Sequence, residues 1–205
     1  MLFSIVTLLS TASMVCAVFT PPPGQPDGIY QAYIDASGNE VHELLQPLAS
    51  INNASLTHTL DLLNSKSTIT RRALQGPNSV SCIKLILSMQ HSTPSSHSSF
   101  TISTNFTNDL DAENANIAVA ALAVYCEGGS TGGHSVSPTR NIYSQANEVF
   151  TYFCNHSDLS NNCYYDEVLA AITQQVTGAC GSYISGLHFV QDRESTYGYS
   201  VGIFC

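Results

Sequence analysis

Seven cysteines punctuate this chain of 205 residues, and their placement limits its possible folds more than any other feature. Cys16 lies in an N-terminal segment, MLFSIVTLLSTASMVCA, which joins an apolar run to the small-residue ending Val15-Cys16-Ala17. That pattern reads as a secretory signal cut after Ala17. The run is interrupted by Ser and Thr and is too short to span a bilayer comfortably, so no stable membrane insertion is expected after cleavage. Six cysteines then remain: Cys82, Cys126, Cys154, Cys163, Cys180 and Cys205. An even number in an exported chain reads as a disulfide framework rather than a metal site. Three Asn-x-Ser/Thr sequons, at Asn53, Asn105 and Asn155, are expected glycosylation sites on a eukaryotic secretory route.

All six retained cysteines follow Arg72. Residues 18–72 open with Pro21-Pro22-Pro23-Gly24-Gln25-Pro26 and include the polar run Ser50-Ile-Asn-Asn-Ala-Ser55. A segment of this composition struggles to bury a core by itself. Arg71 and Arg72 are two of only six Lys and Arg residues in the chain. A dibasic pair at such a junction is what a kexin-type processing protease recognises; otherwise it is a solvated surface pair. The expected organisation is a signal peptide over residues 1–17, a low-order propeptide-like arm over 18–72 and a cysteine-bearing domain over 73–205. The last is long enough for one hydrophobic core. It carries Lys84, Arg140 and Arg193 against ten acidic residues, which argues against capture of nucleic acid or an anionic membrane.

Within that domain, VSCIKLILSM reads as a strand, with Phe100-Thr-Ile-Ser-Thr104 returning after a Ser-rich loop. A helix follows, capped by Asn108 or Asp109, with Asp111 and Glu113 at the positive end of its dipole and Gly128-Gly129 as its stop. Its apolar stripe is Ile117, Ala120, Ala121 and Val124. Glu148 to Cys154 reads as a strand, and a second helix is predicted from about Tyr164 to Thr177, ended by Gly178, with Val168, Leu169, Ile172 and Val176 inward. Tyr183–Val190 and Tyr197–Phe204 read as two further strands. The fold class is therefore α+β: an antiparallel sheet with two helices packed on one face, stabilised by disulfides.

The second helix restricts the disulfides. Cys163 and Cys180 flank it, and a rise of roughly 1.5 Å per residue sets them about 25 Å apart, whereas disulfide Cα atoms lie within roughly 7 Å. Of the fifteen pairings open to six cysteines, the three that join Cys163 to Cys180 drop out and twelve remain. Among the twelve, Cys82–Cys126, Cys154–Cys163 and Cys180–Cys205 is the expectation carried forward.

The final third runs Val149-Phe-Thr-Tyr-Phe-Cys154, Cys163 opening a helix, Cys180-Gly181 closing it, Gly186, and a last strand Tyr197-Gly-Tyr-Ser-Val-Gly-Ile-Phe-Cys205. This order resembles the small disulfide-rich killer toxin of smut fungi and the killer-toxin-like effector candidates that filamentous fungi secrete. The likeness covers about residues 140–205, with weaker support from Cys82 and the helix ending at Cys126. It implies an α/β sandwich acting outside the cell, with toxin members inhibiting ion channels of competing cells. The killer toxin is basic and has more disulfides, whereas this domain is acidic with at most three, so the architecture is carried over and no toxin residue is.

No motif assigns a chemistry. Asp109-Leu-Asp-Ala-Glu113 lacks the glycine and distal glutamate of a calcium loop and sits where a helix N-terminus favours carboxylates. The Gly-rich segment 128–134 lacks the Gly-Lys-Ser/Thr ending of a phosphate loop, and His134, His156 and His188 have no zinc-ligand spacing, so neither metal nor cofactor is expected. Pairing all six cysteines leaves no thiolate nucleophile. There is no Gly-x-Ser-x-Gly elbow, although a triad is defined by geometry rather than motif. The tyrosines Tyr143, Tyr152, Tyr164, Tyr165, Tyr183, Tyr197 and Tyr199 either cover the sheet or form a binding face. The expectation is a secreted, non-enzymatic effector or toxin-like protein that binds an extracellular protein or glycan of a host or competitor. A small extracellular hydrolase is the alternative.

Overall fold

The computed structural model describes residues 18–65, 78–82, 109–127 and 133–205. Eleven strands occur among them: β1 Val18–Phe19, β2 Gly28–Ile34, β3 Glu40–Pro47, β4 Asn78–Cys82, β5 His134–Val136, β6 Asn141–Ala146, β7 Val149–Asn155, β8 Asn161–Cys163, β9 Gly186–Val190, β10 Ser195–Ser200 and β11 Ile203–Phe204. Seven form one sheet in the order β3-β2-β6-β7-β10-β9-β4, every neighbouring pair antiparallel. Two short ribbons, β1 with β11 and β5 with β8, complete the strands. The helices are α1 Asn53–Asn64, α2 Ala112–Glu127 and a third unit made of α3 Tyr165–Ala170, a π-helical stretch Ala171–Val176 and α4 Thr177–Cys180. The α+β class with helices on one sheet face is the observed architecture.

The low-order arm is corrected. Its segment 28–47 forms a hairpin in the sheet, with β2 lying between β3 and β6, and α1 lies against α2. The turn explains the hairpin. Asp35 accepts backbone N–H bonds from Ser37 and Asn39, both 2.8 Å, and Gly38 takes φ 84°, a conformation open to a residue without Cβ. Those donors hold the Asp35 carboxyl below its ordinary range. Ile29, Tyr30, Ala32 and Ile51 are buried against the rest of the chain. Each large apolar side chain among them contributes about 1.5–3 kcal/mol, which a segment without its own core obtains only by joining one.

Alternation along the strands sorts side chains between two faces. The inner face, under the helices, carries Ile29, Ile142, Phe153, Tyr197, Tyr199 and Val190. The outer face carries Tyr30, Ala32, Tyr143, Phe150, Tyr152 and Cys154, covered by Phe19 and Ile203 of the β1–β11 ribbon. β6 and β7 are consequently buried on both faces. Gly198 makes room for this packing: a Cβ there would lie 2.4 Å from the Tyr152 ring.

α2 is buried on more sides than its expected stripe. Ala115, Ala118, Val119, Ala120, Ala121, Leu122, Ala123 and Cys126 are all enclosed, and Ile117 and Val124 are partly so. The sheet covers one side, and α1 and α3 cover two more. Its cap is Asp111, which accepts from the Asn114 N–H at 2.9 Å, rather than Asn108 or Asp109. The second helix runs past Gly178, which stays helical, and stops at Gly181 with φ 101°. Val168, Leu169, Ile172 and Val176 do face inward. The π-helical turn brings Val176 over Gly186, where a Cβ would meet it at 2.6 Å. The strand expected beyond Cys82 and its partner at 100–104 lie outside the described residues.

The disulfides are Cys82–Cys180, Cys126–Cys163 and Cys154–Cys205, with Cα separations of 5.6, 5.2 and 5.7 Å. All three expected pairs are therefore corrected, while the exclusion of Cys163 from Cys180 holds. The expected set joined neighbours in sequence order, but topology decides otherwise. β4 returns to the sheet margin beside β9, near the end of α4; the end of α2 meets β8; and β7 presents Cys154 to the outer face, where the ribbon passes.

Candidate functional site

A polar cluster that includes a histidine lies on the outer face where β3, β2 and β6 run side by side. Glu40 and His42 share one side of β3 by their spacing of two, and the register sets His42 across from Ala32. Tyr143 projects from β6 opposite Tyr30, and the two rings stack at 5.2 Å. His42 Nδ1 lies 2.7 Å from the Tyr143 hydroxyl, and Nε2 lies 2.6 Å from Glu40 Oε1.

With the His42 ring neutral, the hydrogen-bond chain has one consistent direction. The carboxylate of Glu40 only accepts, so His42 donates from Nε2 and its Nδ1 accepts the Tyr143 proton. The phenol oxygen then accepts from Gln25 Nε2 at 2.7 Å, and the same amide donates to Gln145 Oε1 at 2.9 Å. Glu40 Oε1 also accepts from the Thr20 N–H at 2.7 Å. Gln25, Glu40 and His42 come from the arm, Tyr143 and Gln145 from the body.

This geometry limits its chemistry. Burial pushes the Tyr143 phenol far above its ordinary value, and the residue is fully enclosed, so it is a neutral donor and not a nucleophile at neutral pH. Glu40–His42 is the histidine–carboxylate pair among the described residues. Its second nitrogen is taken by a phenol, and no serine hydroxyl among the described residues joins the chain. The cluster is built as a clip between arm and body.

A second buried polar group joins α3 to β10. Glu167 receives the Arg193 guanidinium and, at 2.7 Å, the Tyr197 hydroxyl, while Arg193 also donates to the Asn162 carbonyl at 3.3 Å. Burial raises the Tyr197 phenol, and the Glu167 charge raises it further.

The three histidines weighed in the sequence lie apart, as their spacing implied. His134 packs at a tilt on the Tyr125 ring with centroids 4.4 Å apart, His156 reaches Thr196 at 2.8 Å, and His188 is enclosed within the sheet. No group of three metal-ligating side chains occurs among the described residues. Asn53 is exposed at the start of α1. Asn155 is enclosed, donating through Nδ2 to the carbonyls of Val136, Ser137 and Leu159. A glycan on that nitrogen would leave one N–H to serve the three carbonyls. Ala17, Arg71, Arg72 and Asn105 lie outside the described residues. Tyr143, Tyr152, Tyr197 and Tyr199 are fully buried, and Tyr164, Tyr165 and Tyr183 are partly so; they cover the sheet rather than forming an exposed face.

Sequence reading missed Gln25, Glu40, His42, Gln145 and Glu167. The one local signal was the Glu-x-His spacing of 40 and 42 on an alternating strand. Comparison with protein-family models, curated proteins and solved structures gives no match. No helix among the described residues is long and apolar enough to cross a membrane. Three disulfides fit a small, stabilised secreted protein.

Proposed function

We propose that this chain is a secreted binding protein of the killer-toxin-like effector kind, acting on a protein at the surface of a host or competitor cell. The observation that carries the reading is β3. It is an end strand of the large sheet, and no further strand among the described residues pairs with its outer edge. Leu44 on β3 and Ile34 on β2 are 42% and 55% exposed beside it. Such an edge accepts an extended segment by strand addition.

Charge selects the partner. Residues 18–65 contain no Lys or Arg, and Glu40 and Glu43 lie on β3 itself. The fitting segment is thus extended, basic and apolar in alternation. The bulge at Leu45 limits regular pairing to Glu40–Leu44. Full burial of Tyr143, Tyr152, Tyr197 and Tyr199 reduces the aromatic surface on which a stacked glycan would rest, which favours a protein partner.

The test is saturable binding of labelled secreted protein to candidate host and competitor cells. Binding is expected to fall about tenfold for Leu44→Lys, a loss of about 1.4 kcal/mol, and to vanish when the cells are treated with protease. Binding that survives protease but not glycosidase treatment, or equal binding by Leu44→Lys, would overturn the reading.

A further inference from the structure

The opposite margin of the sheet holds a histidine in an unusual setting. His188 lies in the middle of β9, is 0% exposed, and neither ring nitrogen has a hydrogen-bond partner. Buried polar groups are nearly always satisfied, so the neutral ring is already costly there.

A protonated ring would be costlier, because among the described residues no charged side chain compensates it. Among the described residues, the elements packed most closely on β9 are β4, β10 and the helical stretch 171–180. β4 reads Asn-Ser-Val-Ser-Cys and places Val80 across from His188. β10 carries no charged residue and places Tyr197 opposite; the titratable groups it adds are Tyr197 and Tyr199. The helical stretch Ala-Ile-Thr-Gln-Gln-Val-Thr-Gly-Ala-Cys contains no acidic or basic residue, and Cys180 is bonded to Cys82. The nearest ion pair reached through these neighbours is Glu167–Arg193, whose carboxylate already takes the Tyr197 hydroxyl.

Water must therefore reach the ring before a proton can be held. β4 is the part able to give way: a five-residue end strand whose partner in the sheet is β9, with Ser79, Ser81 and Cys82 exposed. We propose that His188 makes the β4–β9 margin acid-labile, with protonation coupled to release of β4 from β9 while the Cys82–Cys180 bond keeps the strand tethered to α4. The device leaves β3, at the other margin, in place.

Desolvation lowers the folded-state affinity of His188 for a proton. The ring's contribution to holding the margin closed is thus fully present above the ordinary value of about 6.5. It is lost as pH falls through the lower folded value. Each opening then takes up one proton, so the open fraction rises about tenfold per pH unit in that window.

Hydrogen exchange of the full secreted chain, read by mass spectrometry from pH 7.5 to 5 and corrected for intrinsic rates, tests this. Protection over 78–82 and 186–190 is expected to fall about tenfold per unit below pH about 6.5, with residues 28–47 unchanged. His188→Leu is expected to flatten that dependence, and His156→Gln to leave it. A pH-independent margin in the native chain, or an equal fall in His188→Leu, would overturn the proposal. If His188→Leu does not fold, the native ring's NMR titration decides: a midpoint below 6.5 supports the coupling, and one at or above it refutes it.

Discussion

Residues 18–64 and residues 78–205 complete one fold by different means. In the later region, disulfides join β4 to α4, α2 to β8, and β7 to the chain just after β11. In the earlier region no covalent cross-link occurs. Its hold consists of the β2–β6 ladder, β1 on β11, α1 on α2, the Thr59–Tyr165 hydroxyl contact and the Gln25–His42–Tyr143 clip. The uncross-linked region nevertheless contributes to every layer: the outer ribbon, the sheet and the helical face. Cross-links thus mark where chain entropy is restrained, and not where the folding unit ends.

Removal of the arm tests this most severely. A chain of residues 73–205 would bare the β6 edge and the flank of α2, and is expected to be recovered unfolded or aggregated, without a cooperative melting transition by circular dichroism. Cutting the full chain after Arg72 differs from deleting what precedes it. The two pieces, free of any disulfide between them, are expected to co-elute under native conditions and to separate in denaturant without reductant. A cooperative, soluble 73–205 chain would restore the arm to a dispensable propeptide.

Removing a cross-link comes next. In the chain-entropy model, replacing Cys82 and Cys180 by alanine costs about 4.7 kcal/mol, and Cys126 with Cys163 about 3.8 kcal/mol, because the loops they close span 98 and 37 residues. Denaturant midpoints are expected to fall in that order. An unchanged midpoint for the Cys82–Cys180 variant would show that the margin bearing β4 contributes little to global stability.

Much of the later region was legible in sequence because its signals are local. Val168, Leu169, Ile172 and Val176 marked a helix, Glu148–Cys154 read as a strand, and the helix length alone ruled out Cys163 with Cys180. The pairing itself was not legible, since it depends on which strands become neighbours. In the arm, GIYQAYI and EVHELLQP around Asp35-Ala-Ser-Gly-Asn39 form a readable hairpin signal. It was outweighed by the proline-rich opening and the lack of cysteine, although neither prevents a strand from pairing with a distant one. The clip was hidden for the same reason: His42 and Tyr143 are about a hundred residues apart and meet only through the β2–β6 register.

That clip gives a smaller and more local test. Tyr143→Phe keeps the ring stacked on Tyr30 but leaves His42 Nδ1 without its donor and Gln25 Nε2 without its phenol acceptor. A loss of about 1–3 kcal/mol is expected for partners left unsatisfied in a part-buried site. Faster hydrogen exchange should appear first in residues 20–27 and 40–44. An equal rise throughout the disulfide-linked region would mean that the two regions open as one unit and that the clip has no separate role.

The two described sequons give the smallest effect and distinguish the regions by access. Asn53 in the arm is exposed at the first turn of α1, whose cap is the neighbouring Asn52 accepting from the Ala54 N–H at 3.0 Å. Asn155 in the body spends its amide on three carbonyls. Asn53→Gln is expected to remove a glycan from protein secreted by a eukaryotic host while changing stability by less than about 0.5 kcal/mol, as for surface substitutions generally. Peptide mapping of the parent is expected to find Asn155 unmodified. A glycan at Asn155 on folded protein would require β7 and the loop to β8 to be arranged differently, because an amide nitrogen carrying a sugar keeps one N–H and cannot serve Val136, Ser137 and Leu159 together.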